Sequence, residues 1–250
     1  MIVFVTTPDE IGIYSALFYA YKNKKFPDKL TDGEVQTSFT DEVIYIAPQN
    51  DEANRVKKFL AKSPARNVSA DVKTALRSGQ NDKLSVIFAY LKKVVDEKSK
   101  DISKNFAIPE VLAFSDAVNR IRLETHRFKG FMRFEESEKG FFYAHYTPDN
   151  DITDFLMPHF KARFAKLPFI IHDTRRNIVG IYDGNSYKVL RVGNERLTVF
   201  LSEKETAFKQ LWKTYYDAIN IESRKNERQM YAFMPKRYHK NLPEKTNLPQ

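Results

Sequence analysis

Three stretches of this chain interleave imidazoles, guanidinium groups and aromatic rings: His126-Arg127-Phe128-Lys129-Gly130-Phe131-Met132-Arg133-Phe134, His159-Phe160-Lys161-Ala162-Arg163-Phe164 and His172-Asp173-Thr174-Arg175-Arg176. Arginine forks match phosphate oxygens and rings stack on nucleobases, so the pattern suits a surface that meets nucleic acid. A fourth stretch, Arg224 to His239, carries Met234-Pro235-Lys236-Arg237-Tyr238, where proline stops a helix and two cations stand beside a ring. The residues expected to contact nucleic acid are Arg127, Lys129, Phe131, Arg133, Arg163, Arg175, Arg176, Arg228, Lys236, Arg237 and Tyr238.

The same stretches hold proton carriers. His126, His159 and Asp173 would serve as general acid and base in a hydrolase or lyase acting on a modified nucleotide, provided the fold gathers them. Glu124, His126, His159, His172 and Asp173 have the donor atoms of a divalent-metal site, but HExxH and comparably tight spacings are absent and no metal site is assigned. GxSxG, Walker A and GxGxxG motifs are missing too. The chain has no cysteine, which removes disulfides, thiolate zinc and iron–sulfur ligation. No cofactor is therefore expected on this chain, and an iron–sulfur cluster or S-adenosylmethionine would come only with a partner.

The charge balance favours an anionic partner. Lys plus Arg number 41 against 32 Asp plus Glu, a formal net charge of +9. The excess is densest between Arg224 and Lys245, with seven basic and two acidic residues. DNA is the expected partner, with single and double strands both open. Neither a basic leader with an apolar run nor a stretch of roughly 20 apolar residues is seen, so a soluble, cytoplasmic protein without membrane contact is expected.

Several elements must position these residues. Ile2 to Val5 reads as a buried strand followed by a helix bearing Ile13, Leu17, Phe18 and Tyr21, and Glu42 to Ala47 as a second strand. Helices follow from Asp51 and over Lys83 to Val95, and the charged run Asp96 to Lys104 reads as a linker. Pro109 to Glu124 is a helix; Phe128 to Phe134 and Gly140 to Tyr146 read as a hairpin; Asp149 to Leu167 is a helix capped by Asp151. If Arg127 to Phe134 is a strand, period two puts Arg127, Lys129, Phe131 and Arg133 on one basic face. Strands at Phe169 to Asp173, Ile178 to Tyr182 and Tyr187 to Val192 complete the pattern, before a helix over Phe208 to Ile219 that bears the single tryptophan, Trp212. The expected class is α+β: a mixed α/β region over 1–104, an antiparallel β-β-α-β-β sheet-and-helix domain over 105–200, and a helix with a basic strap over 201–250.

Four ordered motifs carry a resemblance. Glu124-x-His126-x-x-x-Gly130-Phe131-x-Arg133-Phe134, Pro158-His159-Phe160-x-x-Arg163-Phe164, Ile170-Ile171-His172-Asp173-x-x-Arg176, and Met234-Pro235-Lys236-Arg237-Tyr238 followed by Leu242-Pro243-Glu244 resemble a bacterial family of uncharacterised proteins labelled DNA metabolism or DNA repair proteins. Such proteins stand alone beside a radical-SAM protein or are fused to a uracil-DNA-glycosylase-like domain. The resemblance implies a DNA-binding accessory protein of DNA repair or modification acting with such a partner. Phe169 and His239 stand where the family usually has tryptophan, and the family's Asp-Gly-containing N-terminal signature is reduced to Gly12 and the helix after it. The chain has no glycosylase domain, so glycosylase activity is not carried over. Besides the enzyme already named, a protein–protein interaction module without DNA contact is the other alternative.

Overall fold

The apolar run at the N-terminus forms strand β1 (Ile2–Val5), which lies between β2 (Lys29–Thr31) and β3 (Glu42–Tyr45) in a three-stranded parallel sheet. Phe4 is in register with Leu30 on one side and Ile44 on the other. This is a computed structural model, and it describes residues 1–33, 40–193, 200–202, 204–219 and 221–245. Parallel neighbours need a crossover, and helix α1 (Glu10–Asn23) supplies the first. Asp9 caps it by accepting the Gly12 N–H at 2.7 Å. Glycine is required at position 12 because a Cβ there would stand 2.3 Å from the Thr7 carbonyl oxygen. Helices α2 (Asn50–Ala61), α3 (Val68–Ala75) and α4 (Lys83–Asp96) complete one apolar core, in which Phe4, Ile13 and Leu17 share a cluster with Leu60, Val72, Ile87 and Leu91.

The next helix, α5, runs over Pro109–Phe131 and corrects the hairpin expected from Phe128. Its buried positions Val111, Phe114, Val118, Ile121, Thr125 and Phe128 recur every three or four residues without a break at Glu124. That continuing 3.6-residue period outweighs the local strand preference of the aromatics. The basic strand face built from Arg127, Lys129, Phe131 and Arg133 therefore does not exist; on a helix Arg127 and Lys129 point about 160° apart.

The chain divides into two units, Met1–Arg122 and Leu123–Gln250, so the division falls within α5 rather than at 104/105. Ile102, inside the charged run read as a linker, is buried in the core of the first unit. The segment expected as a separate C-terminal piece from 201 belongs to the second unit.

The second unit is a five-stranded sheet in the order β4 (Glu135–Glu136), β5 (Phe142–Tyr146), β6 (Phe169–Asp173), β7 (Ile178–Tyr182), β8 (Tyr187–Arg191). It is mixed, not purely antiparallel: β5 and β6 run parallel because helix α6 (Thr153–Phe164) carries the chain back between them. The expected Asp151 cap is displaced, since Ile152 is the N-cap residue and makes no side-chain cap bond. Leu156, Met157 and Phe160 of α6 are buried, and Met157 sits so close to the sheet that a Cβ on Gly180 would be 2.4 Å from its sulfur. Phe134, Phe160, Phe164 and Phe169 pack ring to ring with centroids 4.6–6.3 Å apart, so phenylalanines of the first two motifs and the residue just before the third build an aromatic core. Helices α7 (Lys204–Ile219) and α8 (Glu227–Phe233) and three short 3₁₀ turns, Glu222–Arg224, Lys236–Asn241 and Pro243–Lys245, follow. The α+β class holds.

Candidate nucleic-acid interface

Glu124 lies on α5 where the helix stripe passes inward, which would cost several kcal/mol for an unpartnered carboxylate. Four donors satisfy it. Oε1 accepts the Asp149 N–H and the Tyr238 hydroxyl, both at 2.9 Å, and Oε2 accepts the Asn150 N–H at 2.9 Å and the Asn150 amide at 2.7 Å. One carboxylate thus fastens the loop after β5 and the chain beyond α8 to the same helix. Tyr238 is buried against Phe128, with ring centroids 4.8 Å apart, and its hydroxyl is pushed up to about 12 by burial and by the Glu124 charge. It is a latch with its ring buried, although the sequence places Tyr238 among the expected nucleic-acid contacts.

The same loop is held from its other side by the β6–β7 turn. Asp173 ends β6 fully buried, and its Oδ1 accepts the Arg175 and Arg176 N–H groups at 2.9 and 3.2 Å, the side-chain-to-backbone turn aspartate favours. Asn177 closes this turn at φ 52°, a left-handed conformation that asparagine tolerates. The Arg176 guanidinium bonds Asp173 Oδ2 at 3.0 Å and the carbonyl oxygens of Pro148 and Asp149. Burial raises the Asp173 carboxyl, opposed by Arg176 and the two turn amides. Arg175 and Arg237 then meet over the loop: Arg175 Nη1 is 3.2 Å from Asp149 Oδ1 and Arg237 Nε 2.9 Å from Asp149 Oδ2, with both arginine side chains 53% exposed. Two guanidiniums on one exposed carboxylate leave a net positive charge at the rim.

The first, third and fourth motifs therefore converge on Pro148–Asn150, a loop in none of them. Sequence reasoning missed Asp149 and Asn150, although the Thr147-Pro148-Asp149-Asn150 run is a turn signal that marks an ordered loop. It also missed that Arg133 is a clasp. Its guanidinium donates to Glu244 Oε1 at 2.6 Å and the Gly130 carbonyl at 2.7 Å, and lies 5.5 Å over Trp212, whose indole N–H donates to Glu244 Oε2 at 3.0 Å. Burial pulls the Glu244 carboxyl up, but Arg133, its own backbone amide and Trp212 together hold it lower than usual.

The remaining expected contacts sort by exposure. Arg163 and Arg228 are exposed, as is Lys236, which lies over the Tyr231 ring at 4.6 Å. Lys129 is half-buried. Arg127 donates to the Ala232 carbonyl at 2.8 Å and Phe131 leans on Tyr238 at 6.0 Å. The three expected acid–base residues are placed apart in role: His126 is exposed on α5, His159 sits half-buried beside Lys129 and Arg163, and Asp173 is committed to Arg176. Burial and those two cations hold His159 below its usual value. No hydrogen bond or ion pair joins any two of the three among the described residues. His172, one position before Asp173, faces the opposite side of the sheet, shares a hydrogen bond of 2.9 Å between its Nδ1 and the Tyr143 hydroxyl, and is held low first by burial.

No curated protein and no solved structure matches this chain. Residues 81–244, which hold all four motifs and every contact in this network, match a domain of unknown function, DUF4130. With more than half of its length matched, the chain belongs to the DUF4130 family.

Proposed function

We propose that the second unit binds nucleic acid on the cations displayed at the Pro148–Asn150 loop and along the tail, and that the chain is an accessory protein of DNA repair or modification. The observation that carries the reading is the bridged pair: Arg175 and Arg237 come from motifs far apart in sequence, yet are half exposed and fixed on Asp149 over a loop tied down by Glu124 and Arg176. A fork held in place loses little side-chain entropy when a phosphate arrives. Charge agrees, since the second unit holds 22 basic against 16 acidic residues and the first 19 against 16. Asp173 and Glu244 cancel against internal arginines while Glu124 is buried on neutral donors, so the surface of the unit is more positive than its composition by that one carboxylate. A radical-SAM or uracil-DNA-glycosylase-like protein as partner is supported by the likeness of the four motifs.

Fluorescence anisotropy with short labelled oligonucleotides tests this. Binding stronger than about 1 μM at low salt is expected, with log K falling linearly with log salt as phosphate counterions are released. Replacing Arg175 and Arg237 together by alanine should lower that slope by about two. If neither single- nor double-stranded DNA binds at low salt, the proposal is lost.

A further inference from the structure

The tail beyond α7 lines an open cavity of about 520 Å³ that the loop network does not use. Arg224 and Lys245 supply positive charge to its wall, Asn226, Glu227 and Gln229 supply hydrogen-bonding groups, and Phe233 supplies a ring. Phe233 is 69% exposed, the most exposed phenylalanine among the described residues, none of which stacks a ring or cation on it. In a protein that buries Phe128, Phe160 and Phe169 completely, leaving a ring open to water at a charged cavity forgoes about 1.5–3 kcal/mol of burial.

The frame around this ring is fixed. Ala232, next to Phe233, is held through its carbonyl by Arg127, and the Met234 carbonyl, on the other side, bonds the His239 ring at 3.0 Å. Asn226 caps α8 by accepting the Gln229 N–H at 3.0 Å. Lys245 lies 5.0 Å over Tyr216 with its amine 3.5 Å from the Met230 sulfur, which sets its charge at the cavity wall. An open ring on an ordered backbone, in a cavity lined also by cations, amides and a carboxylate, offers groups for the three parts of a nucleotide: a base face to stack, a phosphate to pair and a base edge to hydrogen-bond.

We infer that this cavity receives one unpaired nucleotide of a single strand, with its base on Phe233, its phosphate at Arg224 and Lys245, and its edge toward Glu227 and Gln229. The inference rests on the proposed nucleic-acid binding and adds to it a preference for single strands, because a base inside a duplex keeps both faces stacked and cannot reach the ring. Glu227 only accepts when ionised, so it favours bases with an exocyclic amino donor on the edge, cytosine, adenine or guanine, over thymine, whose edge offers the N3 imino donor alone.

The test compares labelled single-stranded and hairpin-duplex probes on the full chain and on Phe233→Ala, Phe233→Trp and Arg224→Ala. Phe233→Ala should weaken single-strand binding about tenfold, leave duplex binding and the salt slope unchanged, and be rescued by Phe233→Trp. Arg224→Ala should lower the salt slope for single strands by about one. Phe233 is solvent-facing, so an unchanged melting temperature will separate loss of stacking from loss of fold. Equal affinity for both probes, or single-strand binding indifferent to Phe233→Ala, overturns the nucleotide cavity while leaving the Arg175–Arg237 fork standing. Absence of binding to either probe overturns the fork and the cavity together.

Discussion

The two units bury different chemistry. Among the described residues of Met1–Arg122 the buried polar ones are hydroxyls, Thr6, Ser15 and Ser78, within a core of aliphatic and aromatic side chains. In the second unit the buried polar set includes the carboxylates of Glu124 and Asp173, together with Asn150, Thr153 and His172. An apolar core needs only volume and pattern, and many sequences would fill it. A buried carboxylate tolerates few arrangements, because each oxygen must find its donors, and it therefore specifies where a loop and a tail must lie. The first unit is built to be stable; the second spends part of its stability on holding the segment after β5 and the tail in one place.

The largest effects should appear where a buried charge or a core side chain is removed. Asp173→Ala strands the Arg176 guanidinium and two turn amides, and should cost about 3–5 kcal/mol in urea unfolding. Asp173→Asn keeps an oxygen for the turn and should cost roughly half of that. Leu17→Ala in the first unit should cost about 2–5 kcal/mol. The two differ in pH dependence. Asp173 is held above its ordinary value of 3.8, so its charge opposes folding, and the stability it leaves intact below pH 3.8 is reduced as pH rises through the folded-state value. The Leu17→Ala loss should not move with pH, and an equal pH profile for the two variants would remove the contrast between the units.

A smaller effect is expected at the latch. Glu124→Gln turns an amide group toward the Asp149 and Asn150 N–H groups and should cost about 2 kcal/mol. Its signature is local: hydrogen exchange should rise in Thr147–Asn150 and Lys236–Leu242 together, ahead of the sheet. Exchange confined to one of the two segments would show that Glu124 does not couple them.

The smallest is an acid transition at Trp212. Glu244 is held below its ordinary value of 4.5, so its contribution is complete above pH 4.5 and is lost as pH falls through the lower folded-state value. Emission from the single tryptophan, bonded to Glu244, should shift in that window by an amount worth about 1 kcal/mol of local opening, and Glu244→Gln should abolish the shift. A transition that survives Glu244→Gln belongs to another carboxylate.

Much of the architecture was legible. The spacing of Ile13 and Leu17, of Val56 and Leu60, and of Leu84, Ile87 and Leu91 is helical over elements long enough for the period to be unmistakable, and β6, β7 and β8 were placed to within a residue. The error at Phe128 to Phe134 has one cause. Seven residues rich in phenylalanine satisfy a strand pattern locally, and only the phase inherited from Val111 onward shows that the first four of them continue a helix. The parallel pairing of β5 with β6 follows from the helix between them, yet nothing in either strand's own residues marks it.

The candidate site was legible as a set of motifs and illegible as a geometry. The sequence by itself determined that the second half of the chain is basic, that its motifs pair rings with guanidiniums, and that the chain carries no cysteine chemistry, because these are properties of composition and spacing. Only the tertiary structure decided that Tyr238, Arg133 and Arg176 turn inward as latches while Arg175, Arg237 and Phe233 face water. The reason is physical: whether a cation is a clasp or a contact depends on which carboxylates and carbonyls the fold brings within about 3 Å of it, and here those partners, Glu244 for Arg133 and the Pro148 and Asp149 carbonyls for Arg176, lie 27 to 111 positions away along the chain.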